Sequence, residues 1–145
     1  MVTTAREFLS PSEVIDLLRF ETQIIQSYRE RLAKLRNDAG IASGISCEPI
    51  QSGKVGDPVL WAVCEIDRLE QEKREHVNRI WEYLVYLETP LQRNVFKARY
   101  IYGMRFDKVA LRLKYSESHV KKAHGRGLIL IAEKVSTLRN GLHDT

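Results

Sequence analysis

The chain is 145 residues long, 43% apolar and 29% charged, which makes one ordinary domain, or two small helical pieces joined by a linker, and excludes a large enzyme scaffold. No stretch approaches the ~18 uninterrupted apolar residues of a membrane span, and Met1 to Glu7 lacks the basic-then-apolar profile of a signal peptide, so a cytoplasmic protein with no membrane partner is expected. The formal charge of +4 hides a division: residues 1–88 carry 11 Lys and Arg against 15 Asp and Glu, a net −4, whereas residues 89–145 carry 12 against four, a net +8. A local cationic excess attracts polyanions, of which nucleic acid is the commonest inside a cell, although charge alone fits a solvated helical surface equally well.

The periodicity is helical throughout. Ser10-Pro11-Ser12-Glu13 joins hydroxyl caps to a proline and an acid in the first turn, where a missing amide is harmless and a carboxylate meets the positive end of the helix. Val14, Leu17, Leu18, Ile24, Ile25, Tyr28, Leu32 and Leu35 then form one apolar stripe, and Asn37-Asp38-Ala39-Gly40 supplies a stop near Arg36. Residues 37–56 hold four of the eight glycines and read as a mobile connector of about twenty residues. Gln51-Ser52-Gly53-Lys54 fails the spacing of a phosphate-binding loop. Cys47 and Cys64 have neither the number nor the spacing of a disulfide framework or zinc knuckle and are expected to be reduced and mostly buried.

Asp57-Pro58 starts a second long helix whose stripe is Val59, Val63, Ile66, Leu69, Val77, Ile80, Leu84 and Leu87. Glu70 to His76 offers almost nothing to bury, which predicts full exposure there or a bend between two shorter helices. The two helices can fold back as an antiparallel hairpin or pair with those of a second copy. Trp61, Trp81 and Tyr83 lack partners in a lone hairpin, so self-association is expected of residues 1–88.

Thr89-Pro90 repeats the cap and proline, opening a third helix with Val95, Phe96, Tyr100 and Ile101 as its buried stripe and Gly103 as its end. A two-turn helix follows over 106–113, with Phe106, Val109, Ala110 and Leu113 on one face, then the turn Lys114-Tyr115-Ser116. Ser116 caps a last helix, running to about Leu138, that keeps Val120, Ala123, Leu128, Ile131 and Val135 inward. Its outer face then carries Glu117, Ser118, His119, Lys121, Lys122, His124 and Arg126. A short helix with a small residue at the close approach, a three-residue turn and a capped second helix make a helix-turn-helix pattern, in which the second helix enters the major groove N-terminus first. The alternative is a plain three-helix bundle with a solvated basic face.

The run from Phe106 to Lys121 resembles the helix-turn-helix of sigma-70 region 4. The longer run from Glu88 through Arg93, Tyr100-Ile101-Tyr102-Gly103 and Lys122-Ala123-His124-Gly125-Arg126, with Pro49 to Gly53 and Asp57-Pro58-Val59, is similar to phage late transcription regulators of the ArpU/RinA type. The resemblance implies an activator of phage late genes, for packaging, structure and lysis, acting on a promoter in the bacterial host cytoplasm. By position it implies Glu117, Ser118, His119 and Lys122 as base readers, and Arg112, Lys114, Ser116, Lys121 and Arg126 as contacts to the DNA backbone. Three departures stand out. Lys114 occupies a turn position where many such units have Gly, Glu117 is an acid where basic residues are frequent, and Gly125 and Gly127 each weaken a helix by about 1 kcal/mol relative to Ala. Glu117 can accept a hydrogen bond from a cytosine amino group, or the helix frays after His124.

Catalytic and metal readings find little support. His119 and His124 are five apart, about 140° around a helix, so they miss the one-face pairing of zinc helices, and Glu70, Glu72 and Glu75 read as solvated surface. The expectation is therefore an all-α, non-enzymatic DNA-binding regulator without cofactor or metal. It consists of a helical partner module over 1–88, a long-helix hairpin or coiled coil, and a sigma-region-4-like helix-turn-helix over 89–145. Its expected partners are double-stranded promoter DNA, host RNA polymerase and further copies of itself. Two alternatives remain: a packaging component resembling a small terminase subunit, and a polymerase-binding adaptor that does not touch DNA.

Overall fold

The computed structural model describes residues 9–40 and 58–143, and every element among them is helical. Cys47, the Gln51 to Lys54 run, the Asp57 cap and most of the expected connector lie outside those residues. Helix α1 spans Pro11–Ala39 and α2 spans Pro58–Leu84; α3, Pro90–Phe96, widens into a π-helical turn at Lys97–Ile101; α4 is Phe106–Leu113 and α5 is Glu117–His143.

The capping signals act as their chemistry requires. Ser10 Oγ accepts from the Glu13 amide at 3.2 Å, and Thr89 and Gln92 form a reciprocal capping box, with the Gln92 amide reaching Thr89 Oγ1 at 3.1 Å. Helix α1 continues to Ala39, three residues past the expected stop, because Gly40 is the first residue to turn left-handed, at φ 64°, where its amide meets the carbonyls of Arg36 and Asn37.

Helices α1 and α2 run antiparallel against each other. Their polar cross-links fall in opposite order along the two: Glu21 to His76 at 2.6 Å, Tyr28 to Glu72 at 2.9 Å and Arg36 to Glu70 at 2.6 Å. These bonds correct the expected bend at 70–76. Helix α2 is continuous there, because its polar stretch faces polar partners on α1 rather than solvent on all sides. Cys64 is also a correction, since it is exposed rather than buried.

The main core draws on every helix except α4. Val14, Leu18 and Ile25 of α1 and Ile80 and Leu84 of α2 pack with Phe96, Tyr100, Ile101, Leu128, Ile131 and Val135, so residues on both sides of the expected boundary at Glu88 share one interior. A second cluster joins Val95 and Ala98 to Val109, Ala110, Val120 and Ala123, seating α4 and the start of α5. Leu32, Ile66 and Leu69 close the far end of the α1/α2 pair.

The expected third helix becomes α3 plus a π turn. Tyr102 donates to the Lys97 carbonyl five residues back at 3.2 Å, and this wider winding turns both Val95 and Tyr100, five apart, into the interior. The carbonyls it frees are met from α1: Thr22 Oγ1 donates to Tyr100 O at 2.7 Å, and the Arg29 guanidinium donates to Ile101 O. Gly127 also acquires a structural reason. A Cβ there would stand 2.4 Å from Phe96 Cε2 and 3.0 Å from Leu87 Cδ2, so only glycine lets α5 lie against that ring. Helix α5 does not fray after His124 but continues to His143.

The two α5 glycines should behave in opposite ways. Nothing lies within 4 Å of a Cβ at Gly125, so Gly125→Ala should stabilise the protein by up to about 1 kcal/mol. Gly127→Ala should destabilise it by about 1–3 kcal/mol through overpacking. Urea denaturation of both variants checks the sign, and two stabilising outcomes would refute the close approach.

Candidate nucleic-acid interface

The exposed surface of α5 is fixed by what its other side buries. Val109 and Ala110 anchor α4, and the amides of Lys114 and Tyr115 both return to the Ala110 carbonyl. Lys114 adopts φ 62°, ψ 41°, the left-handed conformation that glycine takes without a steric penalty. Ser116 Oγ then accepts from the His119 amide at 3.1 Å, and Val120 and Ala123 turn into the second cluster. This leaves all nine sequence-predicted residues exposed: Arg112, Lys114, Ser116, Glu117, Ser118, His119, Lys121, Lys122 and Arg126.

Those residues are not equally unengaged. Glu117 pairs with Lys121 at 3.1 Å, one helical turn on, and as a first-turn acid it also meets the positive end of α5. His119 stacks on Tyr115, with ring centroids 5.0 Å apart and planes 9° from parallel. Glu117, Ser118, Lys121 and Lys122 line one shallow hollow. Beside it, His119, Lys122 and Arg126 share a groove with Thr89, Leu91 and Gln92 at the start of α3.

On the opposite flank, Lys121 and Glu117 meet Arg99, Arg105 and Asp107. Arg99 and Arg105 are the residues that sequence reasoning missed, because both precede the motif in the chain. Arg99 is held firmly: it donates to the Met104 carbonyl at 3.0 Å and its guanidinium sits 4.5 Å from the Phe106 ring centroid. Arg105 occupies the cap position of α4 without capping it, and reaches Asp107 at 3.5 Å. Its place immediately before an apolar helix start was the one signal available in the sequence.

His124 is a correction. Expected on the outer face, it is only 8% exposed, because it follows Val120 by one turn and precedes Leu128 by another, on the buried side. Its Nε2 lies 2.6 Å from Tyr100 Oη, and its ring stacks against Phe96 at 5.0 Å with the edge of Phe106 nearby. Burial pushes the imidazole down to about 4, with the charges of Arg99 and Arg19 adding to the effect, and burial likewise pushes the Tyr100 hydroxyl up to about 12. Around neutral pH this pair is therefore an uncharged hydrogen bond beneath the exposed strip.

Two predictions follow from this geometry. Between pH 6.5, where an unfolded histidine takes up its proton, and about 4, where the folded imidazole does, acid favours the unfolded chain. Stability is thus full above the upper value and falls with pH below it, by at most about 1.4 kcal/mol per pH unit. The double variant Tyr100→Phe/His124→Phe should lose this slope in a denaturation series, and an unchanged slope would refute the assignment. Separately, Lys114→Gly should raise stability by roughly 0.5–1 kcal/mol in urea denaturation by relieving the left-handed turn.

Among the described residues no group of His, Cys, Asp or Glu converges as a metal site, and no helix is long and apolar enough to cross a membrane. Comparison with protein-family models, with curated proteins and with solved structures finds no match for this chain.

Proposed function

We propose that the protein is a non-enzymatic, sequence-specific DNA-binding transcriptional regulator, in which α4, the turn 114–116 and the start of α5 act as a helix-turn-helix of the sigma-70 region 4 kind carried on the α1/α2 hairpin. The observation that carries this reading is the exposed cationic strip of α5 with basic grooves on both flanks, supported by Arg99 and Arg105 on one side and Arg126 on the other. At 1.5 Å per residue, 117–126 covers about 15 Å, close to the ~12 Å width of the major groove, before the helix enters the core.

In this reading Glu117, Ser118, His119 and Lys122 read base edges. Arg112, Lys114, Ser116, Lys121 and Arg126 hold the backbone, and the fixed guanidinium of Arg99 adds a phosphate contact. Lys121 exchanges its 3.1 Å pairing with Glu117 for a phosphate, which frees the carboxylate to accept from a cytosine amino group. The resemblance to phage late regulators points further, to activation of late genes by bringing host RNA polymerase to a nearby promoter. One such unit seldom gives enough affinity alone, so the protein is proposed to act as a homo-oligomer.

Fluorescence anisotropy with late-promoter duplexes across a salt series tests the proposal. Expected are a log–log slope of several units, about 0.9 per phosphate neutralised, and a preference over unrelated duplex of roughly a thousandfold. Lys122→Ala should relax sequence preference by about 1–3 kcal/mol, whereas Arg126→Ala and Arg99→Ala should weaken all duplexes about equally and lower the slope by about one each. Salt-independent binding, or no binding, would overturn it.

A further inference from the structure

His76, His119 and His124 are held in two different ways. His76 Nδ1 meets Glu21 at 2.6 Å and His124 Nε2 meets Tyr100 Oη at 2.6 Å, so each of these rings is oriented through a nitrogen. His119 is oriented through a ring face instead, by Tyr115, whose ring lies 9° from parallel with centroids 5.0 Å apart. The His119 amide donates to Ser116 Oγ at 3.1 Å, and among the described residues neither of its ring nitrogens has a protein partner. Stacking thus fixes the imidazole and leaves its hydrogen-bonding edge unused.

Tyr115 is well placed to do this because it is fixed from behind. Its amide donates to the Ala110 carbonyl at 3.1 Å across the left-handed Lys114, and Ala110 is buried in the second cluster. The Tyr115 ring itself is 48% exposed, so it is not a core residue that happens to touch a histidine. An exposed histidine samples several staggered rotamers, and reading a base edge requires one of them, with the ring nitrogens aimed in the plane of the base. The stack makes that selection before DNA arrives, in the groove that His119 shares with Lys122 and Arg126.

We infer that Tyr115 is the positioning residue for His119 and, through it, sets the preference of the protein at one base pair. The inference rests on the DNA-binding reading and adds to it a residue that has no place among the base readers or the backbone contacts. It is tested by selecting bound sequences from a random duplex library and measuring affinity for the selected duplex. His119→Ala should flatten the preference at one base pair, and Tyr115→Ala should flatten it at the same one. Tyr115→Ala should also weaken binding about two- to tenfold, the ordering cost of one side chain, with the salt slope unchanged because no phosphate contact is lost. Tyr115→Phe, which keeps the stack, should behave as wild type. Adding Tyr115→Ala to His119→Ala should change affinity no further, since one residue acts only through the other. Without DNA, the His119 ring protons should move downfield in the NMR spectrum of Tyr115→Ala as they leave the face of the phenol, while circular dichroism stays that of wild type.

A wild-type protein that selects no duplex would overturn the DNA-binding reading and this inference with it. A protein that selects one would overturn the inference alone if Tyr115→Ala left every base preference intact, if its effect added in full to that of His119→Ala, or if Tyr115→Phe lost the preference as well.

Discussion

Phe96 is wholly buried at the crossing of α3 and α5, and the position of the exposed strip depends on how its ring is seated. One side of the ring enters the notch left by the missing side chain at Gly127; the other stacks on His124 at 5.0 Å. Both neighbours belong to α5, within two turns of Lys121 and Lys122. A rigid aromatic therefore sets the rotation of α5 about its own axis, and that rotation decides which side chains face outward. The π turn that follows Phe96 serves the same end, since it swings Tyr100 inward to meet the His124 ring at 2.6 Å.

The α1/α2 pair is specified by different means. Apolar positions along α1 make it amphipathic but would tolerate a slip of one turn against α2. Glu21, only 9% exposed, lies in the seam between Leu18 and Ile25 and is met by His76 at 2.6 Å and by Arg79 at 3.6 Å. A slip would leave that carboxylate buried without a partner, a penalty larger than the modest net gain from the pair itself. The Tyr28–Glu72 and Arg36–Glu70 bonds repeat this control nearer the loop end. Thr22 and Arg29, on the same helix, bond the carbonyls that end the π turn, so the register of the long pair also governs where that turn stops.

Much of this was legible in the chain because the signals are local. Ser10-Pro11, Thr89-Pro90 and Ser116 announce helix starts through the chemistry of their own side chains, and the apolar stripes of α1, α4 and α5 follow a period that any buried helix obeys. What escaped was pairwise. The stretch Glu70 to His76 looks unburiable until its partners on α1 are known, and Gly127 looks like a defect until Phe96 is opposite it. His124 carries a polar label, yet its interval from Val120 and Leu128 marks the inner side; residue type outweighed spacing where spacing was the better guide. Arg99 owes its fixed orientation to a carbonyl and a ring found by folding, which no linear pattern encodes.

The shared interior has a mechanical corollary. Leu128, Ile131 and Val135 continue the same rod that begins with Glu117, and they share one core with α1 and the C-terminal end of α2, while the Leu9 amide donates to Ser136 Oγ at 2.9 Å near its far end. A rod gripped along its rear half offers its front half as a stiff prong rather than a tethered finger. Loss of α1 and α2 would strip apolar flanks from the prong's own shaft, at about 25 cal/mol for every Å² exposed, so its free end is only as firm as the grip behind it.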